Sequence, residues 1–445
     1  MPSDIVPGSV ISPLSVAPLW QVERTVGPVA LDRDLTCDVC VVGGGVAGLS
    51  AAAALCDKQK VVVLEASRLG EGSTGWCAGI LSLATTVDLV EVAAVFGQES
   101  ARSLLFFLSD AMLGMKHNLD LGSADWQTGR SLYVASRKLH RSKLISECQT
   151  RRQYGLASEY LETPHLRKFW KDFPAAIDLD GEHAVHPVKA LFALAALVTA
   201  SGGGVFEGTK ASGWRHEGEN FVVTAGAHTI TCQHLLVTVG LNSDQWPALS
   251  EIDRICVPMT SYVMVTEPSA ELADMVKKTN CIALWDSLSL YHYVRYLPSG
   301  QVLVGGEETP GALPNSTVDP GDPHIKRLYD WASRHHKLKL PEIACAWRGS
   351  LSLPADGLPF IKVKLFQENV FVGAITDGLP FAFLLGSVIS RLIETGEHPV
   401  AQMLSYSRRM PADARLLRLL PRSPAVRGLA YQAVFAALKL KDTIA

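Results

Sequence analysis

With 445 residues, 48% of them hydrophobic and only 19% charged, the chain is long enough for two packed domains and too apolar to stay disordered. The formal net charge of −3 leaves no electrostatic footprint for nucleic acid, which excludes that class of partner. Nine cysteines, an odd number scattered along the chain, do not read as a disulfide framework and point to a reducing, cytoplasmic setting.

The N-terminal stretch MPSDIVPGSVISPLSVAPLW has no basic segment and is broken by prolines, which makes a poor signal peptide. No uninterrupted apolar run of roughly eighteen residues follows it, so a soluble, intracellular protein is expected. Residues 37–66, CDVCVVGGGVAGLSAAAALCDKQKVVVLEA, then predict a strand, a glycine turn, a small-residue helix and a second strand. In Gly43-x-Gly45-x-x-Gly48, the first glycine permits the tight turn and the second lets a pyrophosphate approach the backbone. The third lets helix and strand pack closely. The helix start offers free N–H groups to phosphate, and Glu65 closes the second strand where a carboxylate accepts from ribose hydroxyls. That acid disfavours a 2′-phosphorylated cofactor and leaves FAD or NAD. Cys37 and Cys40, three apart on a strand, are expected on opposite faces as small core residues, and no metal site is expected.

After Glu65 the run ASRLGEGSTGWCAGILSLAT holds no second strand–helix unit, unlike a continuing NAD-type fold, and offers backbone and small hydroxyls to a long cofactor. Further on stand VHPVKALFALAALVTASGGGVFEGTKASGW, HLLVTVGLNS, VPMTSYVMVTEP, LYHYVRYLPSGQVLVGGEE, WRGSLSLPADGLPFI and NVFVGAITDGLPFAFLLGSVISRLIETG. In this order the segments resemble the D-amino-acid oxidase superfamily of FAD-dependent amine oxidoreductases, the group of glycine, sarcosine and γ-glutamylputrescine oxidases. The resemblance spans roughly 35–400.

The resemblance implies an α/β fold: a Rossmann-like FAD domain of the glutathione-reductase type, with an inserted α+β substrate domain on a mixed or antiparallel sheet. The FAD domain is expected from 35–85, 185–255 and 340–400, and the substrate domain from 86–184 and 256–340. Cofactor contacts are implied at Gly43, Gly45, Val46, Ala47, Gly48, Glu65, Ala66 and Arg68. They continue through Gly72, Ser73 and Thr74 beside the phosphates, then Trp76, Cys77, Ala78 and Gly79 near the flavin ring. Later contacts are implied at Ala211, Val239, Gly240, Gly373, Asp377, Gly378, Leu379 and Pro380. Relatives that attach flavin covalently do so through a cysteine in the C-terminal part. None follows Cys345 in this chain, so noncovalent FAD is expected.

The helical pattern LVEVAAVFGQESARSLLFFLSDAMLGMKHNLD opens the first insert, and GALPNSTVDPGDP reads as a loop before a helix at HIKRLYDWASRHH. On the substrate side, strand alternation puts Tyr291, Tyr293 and Arg295 on one face, with His292 and Val294 opposite. An arginine flanked by tyrosines makes a planar fork for a carboxylate, with Arg348 as a second cation, and His292 is read as structural. The implied reaction is oxidation of a C–N bond in an amine or amino acid by hydride transfer to flavin N5. The imine is then hydrolysed, and O2 or another acceptor takes the electrons. A 2-hydroxyacid or polyol dehydrogenase, and a flavoprotein scaffold without catalysis, are the alternatives.

The pentapeptide DGLPF occurs twice. The copy at Asp356 is expected to pin a turn on re-entry to the FAD domain. In the other, Asp377 is expected to cap a helix that Pro380 enters, facing the flavin's pyrimidine edge. The tail 401–445, with Arg408, Arg409, Arg415, Arg418, Arg422 and Arg427 among apolar residues, reads either as a basic amphipathic helix for an anionic membrane or as one that packs on the protein itself or a partner.

Overall fold

The β-branched run at Val61–Leu64 and the segment Leu35–Val42 pair as parallel strands, buried on both faces as central parallel strands must be. The computed structural model describes residues 13–24, 27–83, 87–119, 123–163, 170–366, 369–375, 378–410 and 424–444. Across the first sheet the strands run Phe360–Phe366, Asn369–Ile375, His228–Val237, Leu35–Val42, Val61–Leu64 and Gly204–Phe206. The last five are parallel to one another, while Phe360–Phe366 runs antiparallel at the edge. Ala211–Glu217 and Asn220–Ala225 form an antiparallel extension on His228–Val237.

Helix Val46–Leu55 lies buried beneath this sheet because its side chains are small. A Cβ on Gly386 would come within 2.4 Å of the Ser50 Cβ, so helix Leu379–Thr395 packs against it at close backbone range. Helix Pro187–Ala200 flanks the same core.

The second sheet runs Ser316–Thr317, Ile343–Pro354, Cys256–Thr266, Val302–Pro310, Tyr293–Tyr296, Cys281–Asp286, Gln127–Val134, Ala175–Ala184 and Ile80–Leu81. Ser158–Glu162 pairs with Ala175–Ala184 off this path. Within this sheet, among the described strands, only the contact between Gln127–Val134 and Cys281–Asp286 is parallel, so the sheet is mixed, as expected. Two domain boundaries move. Ile343–Pro354 pairs with Cys256–Thr266 along its length, so the chain re-enters the first sheet at Phe360 rather than at 340. Ile80–Leu81 already pairs with His183 and Ala184, so the first piece of the parallel-sheet domain ends before residue 85.

Cys37 and Cys40 depart from the alternation argument. The amides of Asp38 and Val39 both donate to the Lys60 carbonyl at the start of the strand, and both cysteines lie in one buried cluster with Cys232. The loop before Pro323–His335 ends as expected, with Asp322 accepting from the His324 amide at 2.8 Å.

Among the described residues no helix is long and apolar enough to cross a membrane. The tail helix Pro424–Ile444 packs Tyr431 and Phe435 against Val257 and Met259 of the second sheet. Phe435→Ala is expected to lower the thermal midpoint by several degrees, consistent with a loss of about 3 kcal/mol for a buried aromatic. Leu429→Ala, at a side chain 73% exposed, should leave it unchanged in the same scan.

Candidate active site: a cleft between the two sheets

A cavity of about 1600 Å³ runs from the glycine turn, across the carboxyl ends of the parallel strands, to the inner face of the second sheet. This is where an open α/β sheet exposes unpaired backbone groups to a ligand. Gly43 has φ +109°, and a Cβ there would meet the Thr238 carbonyl oxygen at 2.4 Å. A Cβ on Gly48 would lie 2.1 Å from the Gly43 oxygen, which leaves glycine alone at that helix–turn contact. At Gly72 a Cβ would meet nothing within 4 Å, and at Gly45 only the Thr74 hydroxyl at 3.8 Å, so both present bare backbone to open space.

Glu65 accepts from the Gly44 and Ser67 amides, at 2.9 Å each, and burial pushes its carboxyl up. Its oxygens retain lone pairs for ribose hydroxyls. The bare turn, the helix start and this acid fit the adenosine and pyrophosphate of a dinucleotide.

Residues 76–79 form the next stretch of wall, and each of three successive carbonyls is held by a side chain from elsewhere. The Trp76 oxygen accepts from the Trp347 indole at 2.9 Å, the Cys77 oxygen from the Trp20 indole at 2.7 Å and the Ala78 oxygen from Arg295 at 2.7 Å. Arg295 therefore lies behind the cleft instead of in it. Its guanidinium also donates to the Val185 carbonyl and to Gln127, and burial lowers it to about 10. Strand alternation does put it on the face of Tyr293. However, two residues carry it some 7 Å farther along the strand, under the 76–79 segment. A Cβ on Gly79 would meet its Nη1 at 2.3 Å.

Tyr291 and Tyr293 do line the cleft, and the Tyr293 ring lies over Gly305, where a Cβ would meet it at 2.1 Å. Arg348 stands on the opposite face of its strand, donating to the Pro314 carbonyl at 3.0 Å. His292 points away from the cleft, as alternation predicts. It stacks on Trp331 and bonds Asp286 at 3.0 Å. Burial opposes its charge, but Asp286 and Glu307 raise it to about 9.

The acid Glu308 went unread in the sequence. Tyr262 pairs with Gly306 and Thr260 with Thr309, so Ser261 alone faces both Glu307 and Glu308. This bulge, with Glu307 at φ +55°, reverses the alternation. Glu307 turns outward to Arg327 and His292, and Glu308 turns into the cleft beside Ser261. The adjacent glycines Gly305-Gly306 were the available signal, since glycine inside a strand often marks a bulge.

The chain matches the family described as DAO, FAD dependent oxidoreductase, over residues 38–392. The chain belongs to this family. The FAD-dependent oxidoreductase is 27% identical over 376 residues to gamma-glutamylputrescine oxidoreductase of Escherichia coli, covering 82% of this chain and 85% of that one. It is 25% identical over 397 residues to the probable oxidoreductase OrdL of Rhizobium meliloti, covering 86% and 89%. Glycine oxidase from Geobacillus kaustophilus superposes with a TM-score of 0.67 at 18% identity, over 85% of this chain and 100% of that chain. L-proline dehydrogenase from P. horikoshii does so with a TM-score of 0.69 at 14% identity, over 84% and 98%. These superpositions establish the two-sheet fold.

Of the expected cofactor residues, Gly48, Arg68 and Gly373 stand behind the cleft wall and Asp377 lies outside the described residues; the others line the cleft. Arg68 instead donates to the Pro13 carbonyl, and Gly373 packs on Leu249. Helix Leu379–Thr395 takes Gly378 as its N-cap, at φ +78°, in place of the expected Asp377. The oxidoreductase adds two wall elements that sequence did not assign to the site: Trp20 behind the flavin-proximal segment, and the tail helix through Val434, Phe435 and Leu438.

Proposed function

We propose that this FAD-dependent oxidoreductase oxidises a C–N bond of an amine or amino acid, with FAD held noncovalently. The observation that carries this reading is the charge of the substrate end of the cleft. Asp88, Glu91, Asp286 and Glu308 line it, while no guanidinium does among the described residues. Its lysine, Lys143, is bonded to Asp88 at 2.9 Å. Such a wall attracts a cation and repels the carboxylate of a hydroxyacid. A histidine also lines the cleft, His140, with Nδ1 2.5 Å from the Ser287 hydroxyl.

When bound, FAD supplies the two-electron acceptor for the hydride lost from the carbon beside nitrogen. The chain's own groups do the positioning. Trp20, Trp347 and Arg295 hold the 76–79 backbone in place, and the N-terminus of helix Leu379–Thr395 points a positive dipole end at the cleft. Tyr293, Met259 and the tail helix wall the substrate end.

Anaerobic mixing of the yellow holoenzyme with amines, N-methyl amino acids, polyamines and hydroxyacids tests the reading. Bleaching by nitrogen compounds alone is the expected result. Bleaching only by hydroxyacids would replace it with the dehydrogenase reading, and no bleaching at all with the scaffold. Acid precipitation should leave the flavin in the supernatant.

A further inference from the structure

Glu308 is a buried carboxyl, 8% exposed, whose Oε1 bonds Ser261 at 3.3 Å and whose Oε2 has no hydrogen-bond partner among the described residues. A buried acid left half-satisfied is costly unless a ligand completes it. The polar and charged groups that act on it come from three elements. Ser261 is on Cys256–Thr266, Asp286 ends Cys281–Asp286, and His292 precedes Tyr293–Tyr296. On its own strand Glu307 turns away, paired to Arg327 at 2.6 Å. The protonated His292 draws the carboxylate form back only in part, because burial pushes Glu308 up to about 7. Among the described residues no hydrogen-bond donor reaches Oε2.

We propose that Glu308 docks the ammonium group of the substrate and takes its proton, and that the substrate is an amine without a carboxylate on the reacting carbon. This rests on the amine-oxidation reading above. In the step an N–H bond of the ammonium breaks and an O–H bond forms on the Glu308 carboxylate, which lines the cleft. The electron pair stays on nitrogen, which leaves the neutral amine that hydride loss requires. An α-carboxylate would sit two bonds from that nitrogen, beside Glu308 and Asp286, with no guanidinium among the described residues lining the cleft to receive it. The apolar surface of Met259, Val434 and Phe435 suits an uncharged body on the far side of the amine.

The holoenzyme is tested with three probes: hexylguanidinium, a permanent cation that the reaction cannot consume, hexylamine, and 2-aminoheptanoate, the same chain with an α-carboxylate. Calorimetry on the wild type should show hexylguanidinium binding that tightens between about pH 6 and pH 8, as Glu308 loses its proton while His292, raised to about 9, stays charged. Glu308→Gln should weaken it by about tenfold or more and flatten the pH dependence. The same variant should unfold at a higher temperature than wild type at pH 8 but not at pH 4, which shows it folded. The sign follows from a folded-state value raised above the ordinary one. The stability that proton binding contributes is present at low pH and lost as pH rises through about 7, and glutamine is spared that loss. Equal binding by wild type and Glu308→Gln, or no binding by wild type, overturns the docking role. Faster anaerobic bleaching by 2-aminoheptanoate than by hexylamine overturns the carboxylate-free substrate and leaves amine oxidation standing. Glu308-dependent binding with no bleaching by any nitrogen compound would sink the amine-oxidation reading and keep the cation site.

Discussion

Arg408→Ala is expected to lower the stability of the folded chain by about 3–5 kcal/mol, the cost of breaking a buried ion pair from one side. Its guanidinium donates to both oxygens of Asp356 and to the carbonyls of Leu358, Pro359 and Leu404, and lies 3.7 Å over the Phe360 ring. All five of its N–H donors are used, so truncation strands a buried carboxylate and three carbonyls together. Against a total of about 5–15 kcal/mol, that is a large fraction. Urea unfolding measures it, with Arg409→Ala, at the exposed neighbour, as the control expected within about 0.5 kcal/mol of wild type. Because Asp356, Gly357 and Leu358 also line the cleft, Arg408→Ala should loosen substrate binding as well. Equal unfolding midpoints for the two variants would remove the tail from any role in holding this turn.

The second large effect is expected at Gly48. A Cβ there would lie 2.1 Å from the Gly43 oxygen and 2.7 Å from the Thr238 hydroxyl, and Gly43 cannot retreat because it is itself against the Thr238 carbonyl. The clash is with backbone, so no rotamer relieves it and the helix start must move away from the turn. Gly48→Ala should therefore purify with flavin occupancy reduced about tenfold or more, read as flavin absorbance per protein absorbance. Gly213→Ala, where a Cβ meets nothing within 4 Å, should keep its flavin. Full occupancy in Gly48→Ala would mean that the cofactor does not depend on this turn.

The two DGLPF segments show how local chemistry and tertiary context divide the work. The copy at Asp356 does make a turn, with the Gly357 amide on the Pro354 carbonyl and the Leu358 amide on Asp356. What holds that turn is Arg408, 52 residues away. The other copy leads into helix Leu379–Thr395 with Pro380 in its first turn, and Gly378 takes the cap position. The same letters thus serve one ion-paired turn and one helix entry at the cleft.

By itself the sequence determined what depends on near neighbours. The glycine turn, the order of strand and helix around it, Glu65 at the strand end, and the faces of Tyr293 and His292 follow from sterics and from the period of two. All of these act within a few residues. Only the tertiary structure decided which polar groups meet the cleft. Arg295 shares a face with Tyr293, yet the 76–79 segment folds over it and turns it into a clamp for backbone carbonyls. One bulge at Ser261 exchanges the directions of Glu307 and Glu308, and so puts an acid in the cleft. The tail helix closes a wall through Phe435, in packing that no spacing rule within the tail could show. Burial, register shifts and long-range pairing depend on which distant surfaces exclude water from each other, and that is settled only when the sheets come together.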